Sequence, residues 1–151
     1  MAPQQRRAGR FAVQKVIMLP DTYSTGKPLK LHLESATALN TFTGYGKGFV
    51  MINGRRIERS VVVLPDRLIA DWPAKAFDEL AAEHFAPLGE LGCEIVLLGT
   101  GAQQRFPRSE VLLPLIRAGI GVEVMDLQAA CRTYNILMAE QRKVAAALLF
   151  E

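Results

Sequence analysis

Residues 95–98, Ile-Val-Leu-Leu, form an unbroken apolar run that Gly99 and Gly101 close around Thr100. A short run with no polar face, ended by a glycine turn, reads as a strand covered on both sides, as at the centre of a parallel sheet. Such a strand requires cover on both faces and long crossover connections, which commits the chain to an α/β plan. In open α/β folds the loop beyond such a strand lies at the carboxyl edge of the sheet, where ligands bind. Residues 99–101 are therefore the first place to look for a site.

The surrounding chain fits that plan. Leu29, Leu31 and Leu33 alternate with polar neighbours as a first extended piece, and residues 41–46 read as a strand and bend. Residues 49–52 and 55–63 flank Asn53-Gly54, a pair that takes positive φ at both turn positions and so signals a hairpin. Its second strand is expected to continue through Val61, Val62 and Val63 until Pro65 stops it. After a brief apolar stretch at residues 68–70, Asp71-Trp72-Pro73 opens a helix that places Phe77, Leu80, Ala81 and His84 on one stripe. His84 is expected to sit at the end of that helix, partly packed on the core.

Beyond the central strand, Pro107 and Ser109 introduce a second helix with Ser109 as its N-cap. Pro114 should make its first turn irregular or delay the regular helix, and Gly119 ends it. Ile120, Val122 and Val124 alternate as the next strand. Asp126 then caps a third helix, in which Leu127, Ala130, Cys131, Tyr134, Leu137 and Met138 follow one helical stripe. Residues 144–150 are uniformly apolar and read as a last strand inserted in the sheet. The expected fold is α/β, a three-layer single domain with a central mixed sheet, helices packed on it and an added amino-terminal β-hairpin layer. The domain spans residues 29–151, preceded by a flexible basic extension at residues 1–28.

Composition narrows the function. Half of the 151 residues are hydrophobic and 22% are charged, the balance of an ordinary globular protein. No apolar run approaches the roughly 20 residues that span a bilayer, so no transmembrane segment is expected. Cys93 and Cys131 lie in no CxxC or Cys/His cluster, which argues against structural zinc or a disulfide scaffold and for a reducing, cytoplasmic compartment. The net charge of +3 hides an asymmetry: residues 1–30 carry 6 − 1 = +5 and the remainder 12 − 14 = −2. The basic character belongs to the extension.

No reaction is spelled out. Gly99-Thr100-Gly101, with Glu123 some twenty residues on, has the outline of a dinucleotide loop, but position 104 is Gln104 where a third glycine is needed. The chain also runs on through Arg105-Phe106-Pro107 before any helix, so no helix N-terminus stands under a pyrophosphate. No cofactor, metal ligand set or catalytic residue is expected. Arg55, Arg56 and Arg59 lack interleaved aromatics, so specific nucleic-acid binding is not expected. Cys131 reads as a core residue. Glu123 is the notable carboxylate: on a strand covered on both faces it would be buried, with Arg132, Arg105 or Arg108 as partner. The candidate ligand or interaction site comprises Gly99, Thr100, Gly101, Glu123, Asp126, Arg132 and Asn135.

Six short segments occur in a fixed order: residues 30–40 (KLHLESATALN), Ile52-Asn53-Gly54 with Ser60, Leu98-Gly99-Thr100-Gly101, residues 119–126 (GIGVEVMD), residues 129–137 (AACRTYNIL) and residues 144–149 (VAAALL). Together they resemble the domain-of-unknown-function family that includes mitochondrial respiratory complex I assembly factor three and the adipogenesis-associated Mth-domain protein. The resemblance covers residues 29–150. It implies a three-layer α/β fold, favours an antiparallel final strand over a longer helix, and transfers no catalytic role. Two readings follow. One is a non-enzymatic interaction or assembly factor whose partners are proteins of a membrane respiratory or insertion complex. The other is a small-ligand-binding protein or enzyme with a pocket at the carboxyl edge.

Overall fold

The computed structural model describes residues 38–151; the expected extension 1–28 and the extended piece near Leu29 lie outside them. Two sheets organise residues 40–151. Strands β1 (Phe42–Gly46), β2 (Phe49–Ile52) and β3 (Arg55–Ile57) form an antiparallel meander. Strands β4 (Val61–Leu64), β5 (Arg67–Ile69), β6 (Ile95–Thr100), β7 (Gly121–Met125) and β8 (Val144–Leu149) form a mixed sheet in the order β5-β4-β8-β6-β7. β6 runs parallel to both its neighbours, and β8 is parallel to β6 but antiparallel to β4. The final segment is thus a strand at the centre of the sheet, where its six residues are all fully buried.

Alternation divides this sheet's side chains between two cores. Val61, Val63, Leu97, Val144, Ala146 and Leu148 face the meander and the helix Leu127–Ala139. Val62, Leu64, Val96, Leu98, Ala145, Ala147 and Leu149 face a layer of short turns and helices. Connection handedness explains this placement. The step from β6 to β7 and the return from β7 to β8 run in opposite directions across the sheet, so two right-handed crossovers lie on opposite faces. The three helices among the described residues are α1 (Ala82–Phe85), α2 (Leu113–Arg117) and α3 (Leu127–Ala139).

Several expectations needed correction. The helix expected from Asp71 does not form as one element. Phe77–Glu79 is a 3₁₀ turn, Leu80 and Ala81 are extended (ψ 133° and 162°), and α1 is a single turn followed by a 3₁₀ turn at Pro87–Glu90. Burial is what the segment satisfies, since Trp72, Ala74, Leu80, Phe85 and Leu88 all reach the core from separate turns. A short helix has little stability of its own to resist that dissection. Ser109 is not an N-cap. It begins a 3₁₀ turn, and α2 starts after it with Pro114 in its first turn, where no N–H is needed.

The strand expected across residues 55–63 is broken at residues 58–60, and its halves belong to different sheets. The brief apolar stretch near Leu68 is β5, paired with β4 across a tight turn at Pro65 and Asp66. Asn53 (φ 51°) and Gly54 (φ 82°) form the expected turn of the first hairpin. Asp126 caps α3 as expected, its Oδ1 accepting the Ala129 N–H at 2.8 Å.

Candidate functional site

The carboxyl edge begins two residues later than expected, because Gly99 and Thr100 still pair with Leu148 and Leu149 of β8. At Gly99 the helix α3 packs closely on the sheet. A Cβ there would lie 2.8 Å from a Leu148 methyl and 3.1 Å from Ala130 Cβ on α3. Thr100 is 1% exposed. Its hydroxyl lies 2.6 Å from the Gln103 carbonyl and 3.3 Å from that of Met125, and accepts the Arg105 N–H at 3.0 Å. One hydroxyl therefore folds the following loop back on the sheet.

Gly101 (φ 86°) turns the chain, and a Cβ on it would overlap the Glu151 carbonyl oxygen, which accepts the Ala102 N–H at 3.0 Å. The Gly101 carbonyl in turn accepts the Leu127 N–H at 2.8 Å. The amides of Ala102, Arg105 and Leu127 are all engaged by protein acceptors. The backbone of Glu151 occupies the space against Gly101.

A charged clasp holds that residue. Arg105 lies 4.1 Å over the Phe77 ring, 3.1 Å from Asp78 and 4.0 Å from the Glu151 carboxylate, which also accepts the Phe77 N–H. Beside it runs an open groove of about 570 Å³, lined among others by Arg59, Asp71, Trp72, Lys75 and Phe150. Arg59 and Asp71 pair across its rim at 3.2 Å, both more than four-fifths exposed. The Trp72 indole N–H, by contrast, is committed to the His84 carbonyl at 3.0 Å. His84 closes its own turn, with Nδ1 accepting the Ala81 N–H at 3.0 Å.

The seven candidate residues do not converge. Gly99, Thr100, Gly101 and Asp126 meet where β6 and β7 end. Arg132 and Asn135 lie farther along α3, and a rise of about 1.5 Å per residue puts Asn135 about 13 Å from Asp126. Arg132 is exposed, with its guanidinium 3.4 Å from the Tyr45 hydroxyl. Asn135 grips β1: Oδ1 accepts the Phe42 N–H and Nδ2 donates to the Phe42 carbonyl. Glu123 is exposed, not buried, because β7 is an edge strand and lacks cover on both sides. Among the described residues it has no ion pair, and Arg105 serves Asp78 and Glu151 instead.

Three amide side chains bind strand backbone: Asn135 at Phe42, Asn40 at the Leu64 and Arg67 carbonyls flanking the β4–β5 turn (2.8 and 2.9 Å) and Gln104 at the Val124 carbonyl (2.9 Å). Only Asn135 was a candidate from sequence. The reading also missed Phe106, 70% exposed between the anchored Arg105 and Pro107, as well as Ile116 and Ile136, which stand out on α2 and α3. An aromatic residue flanked by Arg and Pro in a helix-free loop was the available signal for Phe106. The two cysteines are free and buried.

Known proteins place this architecture. Residues 42–149 match the family described as protein of unknown function (DUF498/DUF598). A human protein named NADH dehydrogenase [ubiquinone] 1 alpha subcomplex assembly factor 3 is 35% identical over 121 residues, covering 79% of this chain and 65% of its own. The chain thus spans about two thirds of that relative. A Francisella tularensis protein named 13 kDa major membrane protein is 39% identical over 123 residues, covering 80% of this chain and 99% of its own. Among solved structures, a Bordetella parapertussis protein shares 43% identity at a TM-score of 0.72, covering 77% of this chain and 99% of that one. A Bordetella pertussis protein described as a Mth938-like domain shares 35% at 0.64, covering 85% and 92%. On the family match over residues 42–149 and these likenesses, the chain belongs to the DUF498/DUF598 family and has the Mth938-like fold.

Proposed function

We propose that this chain is a non-enzymatic interaction factor that assists assembly of a membrane respiratory complex. The observation that carries the reading is its 35% identity, over 121 residues, to a protein named as an assembly factor of NADH dehydrogenase. The geometry supports it. The backbone of Glu151 occupies space in the loop that would have held a substrate, and the polar candidates act as caps and ties. Large apolar side chains are exposed as well: Phe106 on the loop that Arg105 ties down, with Ile116 and Ile136 on helices, the kind of side chain that anchors a protein interface. Of the seven candidates, Arg132 and Glu123 are the two whose exposed side chains would meet a partner. We place the protein in the cytoplasmic compartment beside the membrane, a setting that suits its two free thiols. Among the described residues no helix is long and apolar enough to cross a membrane.

Affinity purification of the full chain from detergent-solubilised membranes tests this. Subunits of a respiratory complex should co-purify, and Phe106→Ser should reduce their recovery at least several-fold. Recovery of no respiratory subunit at low salt would overturn the reading. The groove beside Trp72 supports a small-ligand reading only if the full chain is stabilised by a nucleotide, acyl-CoA or carboxylate and Lys75→Ala removes that gain.

A further inference from the structure

Of the three asparagines, Asn40, Asn53 and Asn135, only Asn53 is followed by glycine, and it sits in the exposed turn between β2 and β3. With no Cβ beside it, the Gly54 backbone nitrogen is open to close on the Asn53 side-chain amide. The folded turn holds these two groups apart. The β1–β2 register slips between Phe42 and Gly44, and the extra residue, Thr43, is aimed at the turn. Its hydroxyl accepts the Gly54 N–H at 3.0 Å and lies 3.4 Å from the Met51 carbonyl. The Asn53 amide is drawn away toward β1: Oδ1 accepts the Thr41 N–H at 3.1 Å, and Nδ2 donates to Asn40 Oδ1 at 3.4 Å.

Asn40 carries the link onward. Its Nδ2 donates to the Leu64 and Arg67 carbonyls at 2.8 and 2.9 Å, and its N–H donates to the Pro65 carbonyl at 2.9 Å. Asn53 and Asn40 thus tie the β2–β3 turn to the β4–β5 turn, which belong to different sheets. A carboxylate at position 53 would set an acceptor against Asn40 Oδ1. The two amide hydrogens of Asn40 are already committed to Leu64 and Arg67, so the tie would have no donor.

We propose that Asn53 is a site of spontaneous deamidation, that Thr43 is the gate that sets its rate, and that conversion severs the tie between the two turns. When the turn opens, the Gly54 N–H gives its proton to hydroxide and the nitrogen attacks Asn53 Cγ. The Cγ–Nδ2 bond breaks, ammonia leaves with a proton taken from water, and a cyclic imide remains. Water opens the imide at Cγ to give aspartate, or at the Asn53 backbone carbonyl to give isoaspartate, in which the main chain runs through the former side chain. Water and hydroxide are the only reactants besides the chain. The proposal does not rest on the assembly role.

Peptide mapping of the full chain, held at mildly alkaline pH and sampled over time, tests this, with labelling by an isoaspartyl methyltransferase as the probe for the rearranged product. Asn53 should convert slowly in the folded chain and far faster in urea. Thr43→Val removes the acceptor of the Gly54 N–H, and one such hydrogen bond is worth about fivefold in the opening equilibrium, so the folded variant should convert about fivefold faster. Thr43→Ser keeps the hydroxyl and should stay near the parental rate, and both variants should match the parent in urea. In the converted chain, hydrogen exchange should show lost protection at the Asn40 and Thr41 amides, with β6 and β8 unchanged. Equal conversion in the folded and urea-unfolded parent, or Thr43→Val no faster than Thr43→Ser, would overturn the gate. Full protection at Asn40 and Thr41 in the converted chain would overturn the tie. None of these readouts involves a partner, so failure here leaves the co-purification result standing on its own.

Discussion

Asn135 on α3 reads both backbone groups of Phe42: its Oδ1 accepts the Phe42 N–H at 2.9 Å and its Nδ2 donates to the Phe42 carbonyl at 2.8 Å. A side chain 93 positions away in sequence thus behaves as one more strand beside β1. One residue earlier on α3, the Tyr134 hydroxyl donates to the Asn40 carbonyl at 2.9 Å and its ring meets Phe42 edge-on at 5.1 Å between centroids. These neighbouring residues fasten the basic meander to the helix.

Asn135→Leu should therefore cost about 2–3 kcal/mol, since both Phe42 groups lose a partner in a half-buried place. Asn135→Asp should also destabilise, because a carboxylate keeps the acceptor but faces the Phe42 carbonyl without a donor. Native-state hydrogen exchange checks the claim: the β1 and β2 amides should lose protection more than those of β6 and β8.

Gly101→Ala should destabilise by about 2–4 kcal/mol, as it combines an unfavourable positive φ with overlap of the Glu151 backbone. Gly99→Ala meets a Leu148 methyl and Ala130 Cβ, which can shift, and should cost less, about 1–3 kcal/mol. Denaturant unfolding of the two variants settles the order. A larger effect at Gly99 would mean that helix–sheet packing, not closure of the carboxyl edge, dictates these glycines.

What the sequence reveals follows from which forces are local. Ile95 to Leu98, Asp126 with its helical stripe, and Asn53-Gly54 each carry their instruction within a few residues, and each forms as read. The segment from Trp72 to Leu91 does not, because its periodicity is helical while its burial is dictated by the sheet face it must cover. Glu123 was misread because edge or centre is a property of strand order, and nothing in residues 120–124 states which strand lies outside β7. Glu151 illustrates the same limit for the candidate site. A glycine loop announces that backbone comes close, but the occupant, the chain's own last residue or a ligand, is a long-range fact.

Alkaline pH should destabilise the fold. Burial pushes the Cys131 thiol from 9.0 up to about 12 and raises the Tyr134 phenol above its usual 10.0. Both stay protonated in the folded chain at a pH where the unfolded chain has released its protons. Folding then binds protons, so stability is complete below pH 9.0 and declines as pH rises through the raised values. Cys131→Ala should flatten the first part of that decline in thermal unfolding between about pH 9 and pH 11. Neither cysteine should react with a thiol reagent at neutral pH until the chain unfolds.

The opposite end of the sheet responds to acid. Glu94 immediately precedes β6, and its carboxylate accepts from Arg142 Nε at 3.1 Å and from the Lys143 N–H at 3.3 Å, while its N–H donates to the Lys143 carbonyl at 2.8 Å. The Arg142 hydrogen bond, followed by the Lys143 amide, holds the carboxyl below its ordinary 4.5. A depressed carboxylate stabilises the fold at every pH above its unfolded value, and the contribution fades as pH falls through the lower folded value. The side chains are nearly half exposed, so the effect should be small and screened by salt. Glu94→Gln should melt below the parent at neutral pH and converge with it in acid, where the parent's own carboxyl is protonated. Arg142→Gln should show the same convergence, because the two residues act through one pair. A gap that persists unchanged into acid would assign the loss to the backbone geometry at the start of β6, and not to the charge.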